Sequence, residues 1–184
     1  QHRNATAGRP GQLDSTQQRI LAAELRDMQL RGVGLNGAEQ EAFNAASQEL
    51  AELSTRFGNQ VLDATNGWTL RLSEPAEVEG LPDSLKGQLA QAARAAGETD
   101  ATAEAGPWLL GLDMPRYAPF LKYSRRRDLR ERAYRAFVTR ASQGEHDNGE
   151  AILRILRLRR EEASMLGYPD FASVSLATKM APDV

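Results

Sequence analysis

The chain contains no cysteine. That excludes disulfides and thiolate zinc sites, and it fits a cytoplasmic home, where disulfides are rare. Aromatic residues make up only 6% of the 184 residues, so a core has to be built mainly from Leu, Ala, Val and Ile. Neither sign of charge dominates: 23 Lys and Arg stand against 25 Asp and Glu, for a net charge of −2. So near a balance gives no global pull toward nucleic acid or an anionic membrane surface. No apolar run approaches membrane-spanning length, and the start of the chain has no apolar segment of the secretory type. Histidine is scarce as well, with two copies, His2 and His146.

What is present is a chain 41% hydrophobic, within the range that can bury a core. Residues 1–14 are polar and contain Gly and Pro, and they read as a partly disordered leader ahead of a helical region over residues 15–184. The first residue is Gln rather than Met, and the ending Met180-Ala181-Pro182-Asp183-Val184 carries no helix stop. Both features predict a piece of a longer polypeptide.

A first helix is expected from near Ser15, where Ser15 and Gln18 have capping-box spacing. Ile20, Leu21, Leu25 and Met28 follow at helical intervals, up to Gly32 and Gly34. A long second helix is expected from about Gly37 to Thr65. Its apolar positions Phe43, Ala46, Leu50, Leu53, Phe57 and Val61 alternate gaps of three and four, the stripe of a core helix. The period then changes to two: Trp68, Leu70 and Leu72 alternate with Thr69, Arg71 and Ser73, which reads as a strand over about 67–73. A third helix follows from about Asp83 to Ala96. Gly97 to Gly106 is small and polar and reads as an exposed, mobile loop. A second strand over about 107–113 is expected to pair with the first as an antiparallel ribbon, with the third helix between them in sequence. Two strands alone are marginal in water, so the ribbon requires helices to pack against.

The chain is helical again from Pro115. Tyr117, Phe120 and Leu121 form a short apolar segment, and Leu129, Ala133, Phe137 and Val138 share the face of a helix running to about Ser142. Gln143 to Gly149 is a polar break. Ile152, Ile155, Leu156, Leu158, Ala163 and Leu166 mark a further long helix, and Phe171 to Met180 a last one. The expected class is mainly α: a helical bundle with long antiparallel helices and a small two-stranded antiparallel β-ribbon.

Residues that could carry chemistry are few. A zinc hydrolase helix needs two histidines one turn apart with a glutamate beside them, and His2 and His146 do not have that spacing. Glu145, His146 and Asp147 are adjacent and point in different directions, unlike the convergent ligands of good metal sites. Gly32-Val33-Gly34-Leu35-Asn36-Gly37 fits a dinucleotide-binding glycine pattern loosely, but it follows a helix rather than a strand and reads as a helix–helix loop. Arg125, Arg126, Arg127, Arg130 and Arg132 form a basic cluster that could grip phosphate. Asp128 and Glu131 interleave with it and favour a solvated helix face. Glu161 and Glu162 are neighbours on a helix, about 100° apart, and so cannot share a substrate as an acid/base pair. No residue is assigned a catalytic, cofactor-binding or metal-binding role.

Longer strings add more. Glu52-Leu53-Ser54-Thr55-Arg56-Phe57, followed by Val61-Leu62-Asp63-Ala64-Thr65, resembles a segment of the thimet-oligopeptidase family of zinc metallopeptidases, and within it the oligopeptidase A branch. Three further blocks agree in order. They are Gly106-Pro107-Trp108 through Leu112-Asp113-Met114-Pro115 to Tyr117; Leu129-Arg130-Glu131 with Tyr134 and Thr139-Arg140-Ala141-Ser142; and Ile155 through Leu158-Arg159 and Leu166-Gly167-Tyr168 to Ser175–Ala181. The departures are Gly58-Asn59-Gln60 where Ser-Asn-Asn is expected, Arg116 for a Ser, and Phe171 for a Tyr.

The resemblance implies an enzyme that cuts short peptides in a deep channel between two mostly helical lobes, using zinc held by a His-Glu-x-x-His helix and a downstream Glu. None of those ligands can be placed on this chain. It would form the N-terminal lobe, one wall of the channel, inactive alone and binding no zinc itself. Its partners would be short peptides, through the parent enzyme, and the missing C-terminal catalytic region. Self-association of the isolated piece is also expected, and no nucleic acid or membrane. The competing expectation is a free-standing helical module that binds proteins or nucleic acid.

Overall fold

The computed structural model describes residues 13–181 and 183–184. Most of the leader, with His2, lies outside the described residues. Seven α-helices and one two-stranded sheet occur among them, in the order α1 (Ser15–Leu30), α2 (Ala38–Gly67), β1 (Thr69–Leu72), α3 (Asp83–Ala95), β2 (Trp108–Gly111), α4 (Met114–Tyr123), α5 (Arg127–Val138), α6 (Gly149–Met165) and α7 (Phe171–Leu176). The mainly α class with an antiparallel ribbon is what the structure shows. The chain forms two compact units, one from residues up to Leu53 and from Leu153 on, the other from Ser54–Ile152.

The Ser54–Ile152 unit holds the ribbon. β1 and β2 pair antiparallel in the register Leu70↔Leu110 and Leu72↔Trp108, which puts four large apolar side chains on one face. All four are buried. α3 covers that face through Leu85, Leu89, Ala90 and Ala93, a helical stripe that joins the same core cluster. α4 and α5 add Tyr117, Phe120, Leu129 and Ala133, and the Tyr117 and Phe137 rings stack at 4.2 Å. The two strands therefore gain the helical support that a lone ribbon lacks.

Residues 97–106 form a largely exposed loop, as expected, but one tied to the core at both Ala101 and Gly106. Thr102 and Gly106 exchange backbone hydrogen bonds at 3.0 Å, the Trp108 indole Nε1 donates to the Ala103 carbonyl at 3.1 Å, and Ala101 is buried in the core. Ala101 and Gly106 are the two positions of the segment where small size serves packing. At Gly106, with φ +72°, a Cβ would stand 2.7 Å from the Trp108 ring, so only glycine fits. The Gly106–Pro107 peptide is cis.

α5 ends at Val138 rather than Ser142. Ala141 takes a left-handed φ of 54°, and the Thr139 and Ser142 hydroxyls donate to the Arg135 and Thr139 carbonyls at 2.8 and 2.6 Å. These local bonds replace a further helical turn. Asn148 is buried just before α6, and its Nδ2 donates to the Phe57 carbonyl at 3.3 Å.

The other unit contains α1 and the N-terminal part of α2. α1 is capped one residue earlier than Ser15: Asp14 Oδ1 accepts from the Thr16 and Gln17 amides at 2.8 Å, and Gln17 Oε1 accepts from the Asp14 amide at 3.0 Å. A carboxylate accepts two amides where the Ser15 hydroxyl would serve one, and Asp14 precedes an equally well-spaced glutamine. The expected α2 stripe is only partly a core stripe. Phe43, Ala46 and Leu53 are buried, Leu50 and Val61 are half-buried, and Phe57 is exposed, because no side chain of α2 beyond Leu53 is fully covered by described residues. Ser47 donates to Glu162 at 2.6 Å, and Glu49 receives Arg154 Nε and Nη2 at 2.7 and 2.6 Å. α7 stops at Leu176 instead of Met180. It buries no residue fully and is held by its Asp170 cap and by Arg159 over the Phe171 ring, 4.8 Å from its centroid.

Candidate functional site

Beside the ribbon, α3 and the start of α4 frame an open groove of about 520 Å³. Gln88 and Gln91 line it from the outer side of α3, Thr69 and Leu109 from the ribbon face opposite the core, and Asp113 and Arg116 from the first turn of α4. Arg116 is one of the positions where the chain departs from the pattern expected from the resemblance. Its Nε donates to Asp113 Oδ1 at 2.6 Å, with Nη2 2.5 Å from the same oxygen, and its Nη1 donates to the Leu109 carbonyl at 3.4 Å. This neutralised guanidinium stitches α4 to β2. The lining offers two amides, a hydroxyl and the guanidinium, groups that hold a polar chain by hydrogen bonds. It brings no histidine or cysteine to the groove.

The candidate metal ligands do not converge. Glu145 and His146 lie in a 3-10 turn over Gly144–His146, while the Asp147 carboxylate turns to accept the Gly149 amide at 2.8 Å. Among the described residues no three His, Cys, Asp or Glu side chains come together as a metal would need. Glu161 and Glu162 diverge as their spacing requires: Glu161 stands 3.8 Å from Arg154, whereas Glu162 accepts from Ser47. The glycines from Gly32 to Gly37 form the turn between α1 and α2. At Gly32, with φ +76°, a Cβ would meet the Phe43 ring at 2.7 Å, so this glycine is kept by packing.

The basic cluster is largely engaged with protein groups. Arg125 pairs with Glu79 at 2.6 Å, Arg126 grips Asp128 through two bonds of 2.9 and 2.6 Å, and Arg130 donates to the Ser124 carbonyl. Glu131 pairs with Arg135 one turn on, outside the cluster. The Arg126 hydrogen bond holds the Asp128 carboxyl below its ordinary range, and Arg154 does the same for Glu49. Backbone amides of Glu74 and Ser73 lower Glu77, and burial raises Tyr117. Each of these shifts has a cap, an ion pair or a packed ring as its cause, rather than a poised acid or base. The Glu49–Arg154 and Ser47–Glu162 contacts join residues more than a hundred positions apart, and no local pattern announces them.

Comparison with known proteins bears on the same segments. The profile of Peptidase family M3 matches residues 120–184. The chain is 45% identical over 169 residues to the probable cytosolic oligopeptidase A of Arabidopsis thaliana, covering 92% of this chain and 24% of that protein. It is 40% identical over 175 residues to oligopeptidase A of Escherichia coli, at 92% and 25% coverage. It is also 28% identical over 170 residues to the Escherichia coli dipeptidyl carboxypeptidase. The chain thus spans about a quarter of the length of the curated relatives it matches. With the end of α4 and all of α5 to α7 falling within the family profile and nearly the whole chain aligning to oligopeptidases A, this is an oligopeptidase A-like segment whose residues 120–184 match Peptidase family M3.

Proposed function

We propose that this chain is part of a zinc-dependent oligopeptidase that hydrolyses short peptides, and that it forms a helical wall of the substrate channel without being active by itself. The observation that carries the reading is 38–45% identity to oligopeptidases A over about nine-tenths of the chain, together with a sequence in which no two histidines stand one turn apart. Among the described residues nothing makes a zinc site: His146 is the one histidine there, and the divergent Glu145-His146-Asp147 cannot supply a tetrahedral set. The metal belongs, on this reading, to the remaining three-quarters of the parent polypeptide, the C-terminal catalytic region, and this chain binds none.

The first fourteen residues serve as a leader, and the rest as the N-terminal lobe. The role of that lobe is steric. Stiff helices and a packed ribbon bound a passage, and the groove between Gln91 and Arg116 gives its surface hydrogen-bonding capacity toward an extended peptide. Relatives carry both cytosolic and organellar names, and a cysteine-free chain is placed here in the cytoplasm. No described helix is long and apolar enough to cross a membrane. The engaged arginines support a reading without nucleic acid among the partners. Isolated from the rest, the chain exposes apolar surface and self-associates.

Metal analysis of the dialysed chain and an assay with a quenched peptide test the assignment. Zinc well below stoichiometry and no cleavage are expected. Stoichiometric zinc with turnover would overturn it, and salt-sensitive binding of RNA or DNA would favour the interaction-module reading.

A further inference from the structure

The last turns of α4 and the outer face of α5 leave an open pocket of about 460 Å³. Leu121 lines it from α4, and Arg127, Arg130, Glu131 and Tyr134 line it from α5. At about 100° per residue, the four α5 positions fall within an arc of about 100°. The pocket lies wholly within the Ser54–Ile152 unit. Its volume is in the range of small-ligand sites, about 300–1,000 Å³.

Charge separates this pocket from the groove beside the ribbon. There, Asp113 neutralises Arg116. Here, Arg127 has neither a carboxylate nor another hydrogen-bond partner among the described residues. Arg130 donates to the Ser124 carbonyl, a neutral acceptor that fixes the guanidinium and leaves its charge uncompensated. Glu131 is taken by Arg135 at 2.8 Å, one turn on. Two positive charges are left over. Stability does not account for them, because Arg127 stands in the first turn of α5, where a cation opposes the helix dipole. A residue that breaks a local rule with no structural gain is where function is expected.

The lining then selects among anions. A guanidinium is a planar fork that matches a carboxylate. Leu121 is half-buried and Tyr134 is 54% exposed, so apolar surface stands beside the two forks. A bare phosphate would leave that surface unused, and the Glu131 carboxylate repels a dianion more than a monoanion. A nucleic-acid strand needs a longer run of cations than two. A carboxylate carried next to an apolar side chain uses both halves of the lining, and the C-terminal residue of a peptide is that combination.

We propose that the Arg127–Arg130–Tyr134 pocket holds the C-terminal carboxylate of a short peptide whose last side chain is apolar. This deepens the oligopeptidase reading, on which it rests for the source of the peptide. Calorimetric titration of this chain with the peptide Ala-Ala-Ala-Ala-Leu tests it, with helicity recorded by circular dichroism. The free acid is expected to bind at least tenfold more tightly than its C-terminal amide. Arg127→Gln should abolish that preference. Arg132→Gln, which removes the same charge from α5 outside the pocket, should keep it. Both positions are exposed, so neither variant should disturb the fold. Equal binding of acid and amide overturns the proposal. So does an equal loss in the two variants, which reduces the effect to net charge, and so does displacement of the peptide by equimolar inorganic phosphate. An amidated peptide with an internal glutamate that binds as well as the free acid assigns the pocket to acidic side chains and overturns it too. Cleavage of a quenched peptide by the full-length protein of the natural reading frame is followed in parallel. Binding of the free acid without cleavage would fail the oligopeptidase reading and leave the pocket standing, whereas cleavage with no preference for the free acid would fail the pocket alone.

Discussion

The Ser54–Ile152 unit and the unit built from the chain's two ends solve the same problem to different degrees. The first closes a core around Leu72, Leu89, Trp108, Leu110 and Phe120, each 1% exposed or less. The second buries Phe43, Ala46, Leu53, Ile155, Leu158, Ala163 and Leu166, yet includes two helices, α1 and α7, that bury nothing. The presence of a helical stripe does not separate them, since α1 carries one as α3 does. What separates them is whether the apolar stripe has something to meet. Removing a stripe residue should be costly in the first unit and nearly free in α1.

The largest effect is expected at Trp108. Trp108→Ala removes a ring that fills the core and donates to the Ala103 carbonyl, and a loss of about 3–5 kcal/mol is expected in urea unfolding. A loss under about 1 kcal/mol would mean that the ribbon unit is no better packed than α1. Gly106→Ala comes next. It places a methyl group 2.7 Å from the same ring at φ +72°, and a loss of roughly 2 kcal/mol follows from the strained backbone and the displaced ring. Near-neutrality there would mean that the Trp108 ring is not held against Gly106.

A smaller effect lies at the turn after β1. The Glu77 carboxylate accepts from the Ser73 and Glu74 amides at 2.7 and 3.0 Å, which depresses its pKa. A depressed carboxyl contributes stability above its unfolded value, about 4.3, and loses it as pH falls through the folded one. Glu77→Gln should therefore cost about 1 kcal/mol at pH 7 and progressively less in acid. Parallel melting curves at pH 7 and in acid check the sign. A difference that grows on acidification would contradict it.

Much of this architecture was legible from periodicity. The ribbon, its place before and after α3, and the division of Glu161 from Glu162 follow from spacing alone. What spacing could not give was the environment of each stripe. Phe43 and Phe57 share one helical pattern, and only Phe43 is buried. Composition at 97–106 pointed to an exposed loop but could not show that Ala101 and Gly106 anchor it to the core. The Glu49–Arg154 pair was invisible because no local rule links positions 105 apart. Among the described residues no acid, base or ligand set drew the family assignment; it came from ordered strings such as Leu112-Asp113-Met114-Pro115, residues that cap and start α4.

The smallest expected effect is the most discriminating. Leu25→Ala in α1 keeps a strong helix former and removes a side chain that is 57% exposed, so the stability of the isolated chain should change by no more than about 0.5 kcal/mol. The same substitution at Leu89, fully buried on α3, should cost about 2–5 kcal/mol. Both are leucines in mid-helix exchanged for alanine, so helix propensity cancels between them and burial is what differs. Urea titrations of the two variants, with a common slope, measure that difference directly. Were Leu25→Ala to cost as much as Leu89→Ala, α1 would already be packed in the isolated chain, and the contrast between the two units would disappear.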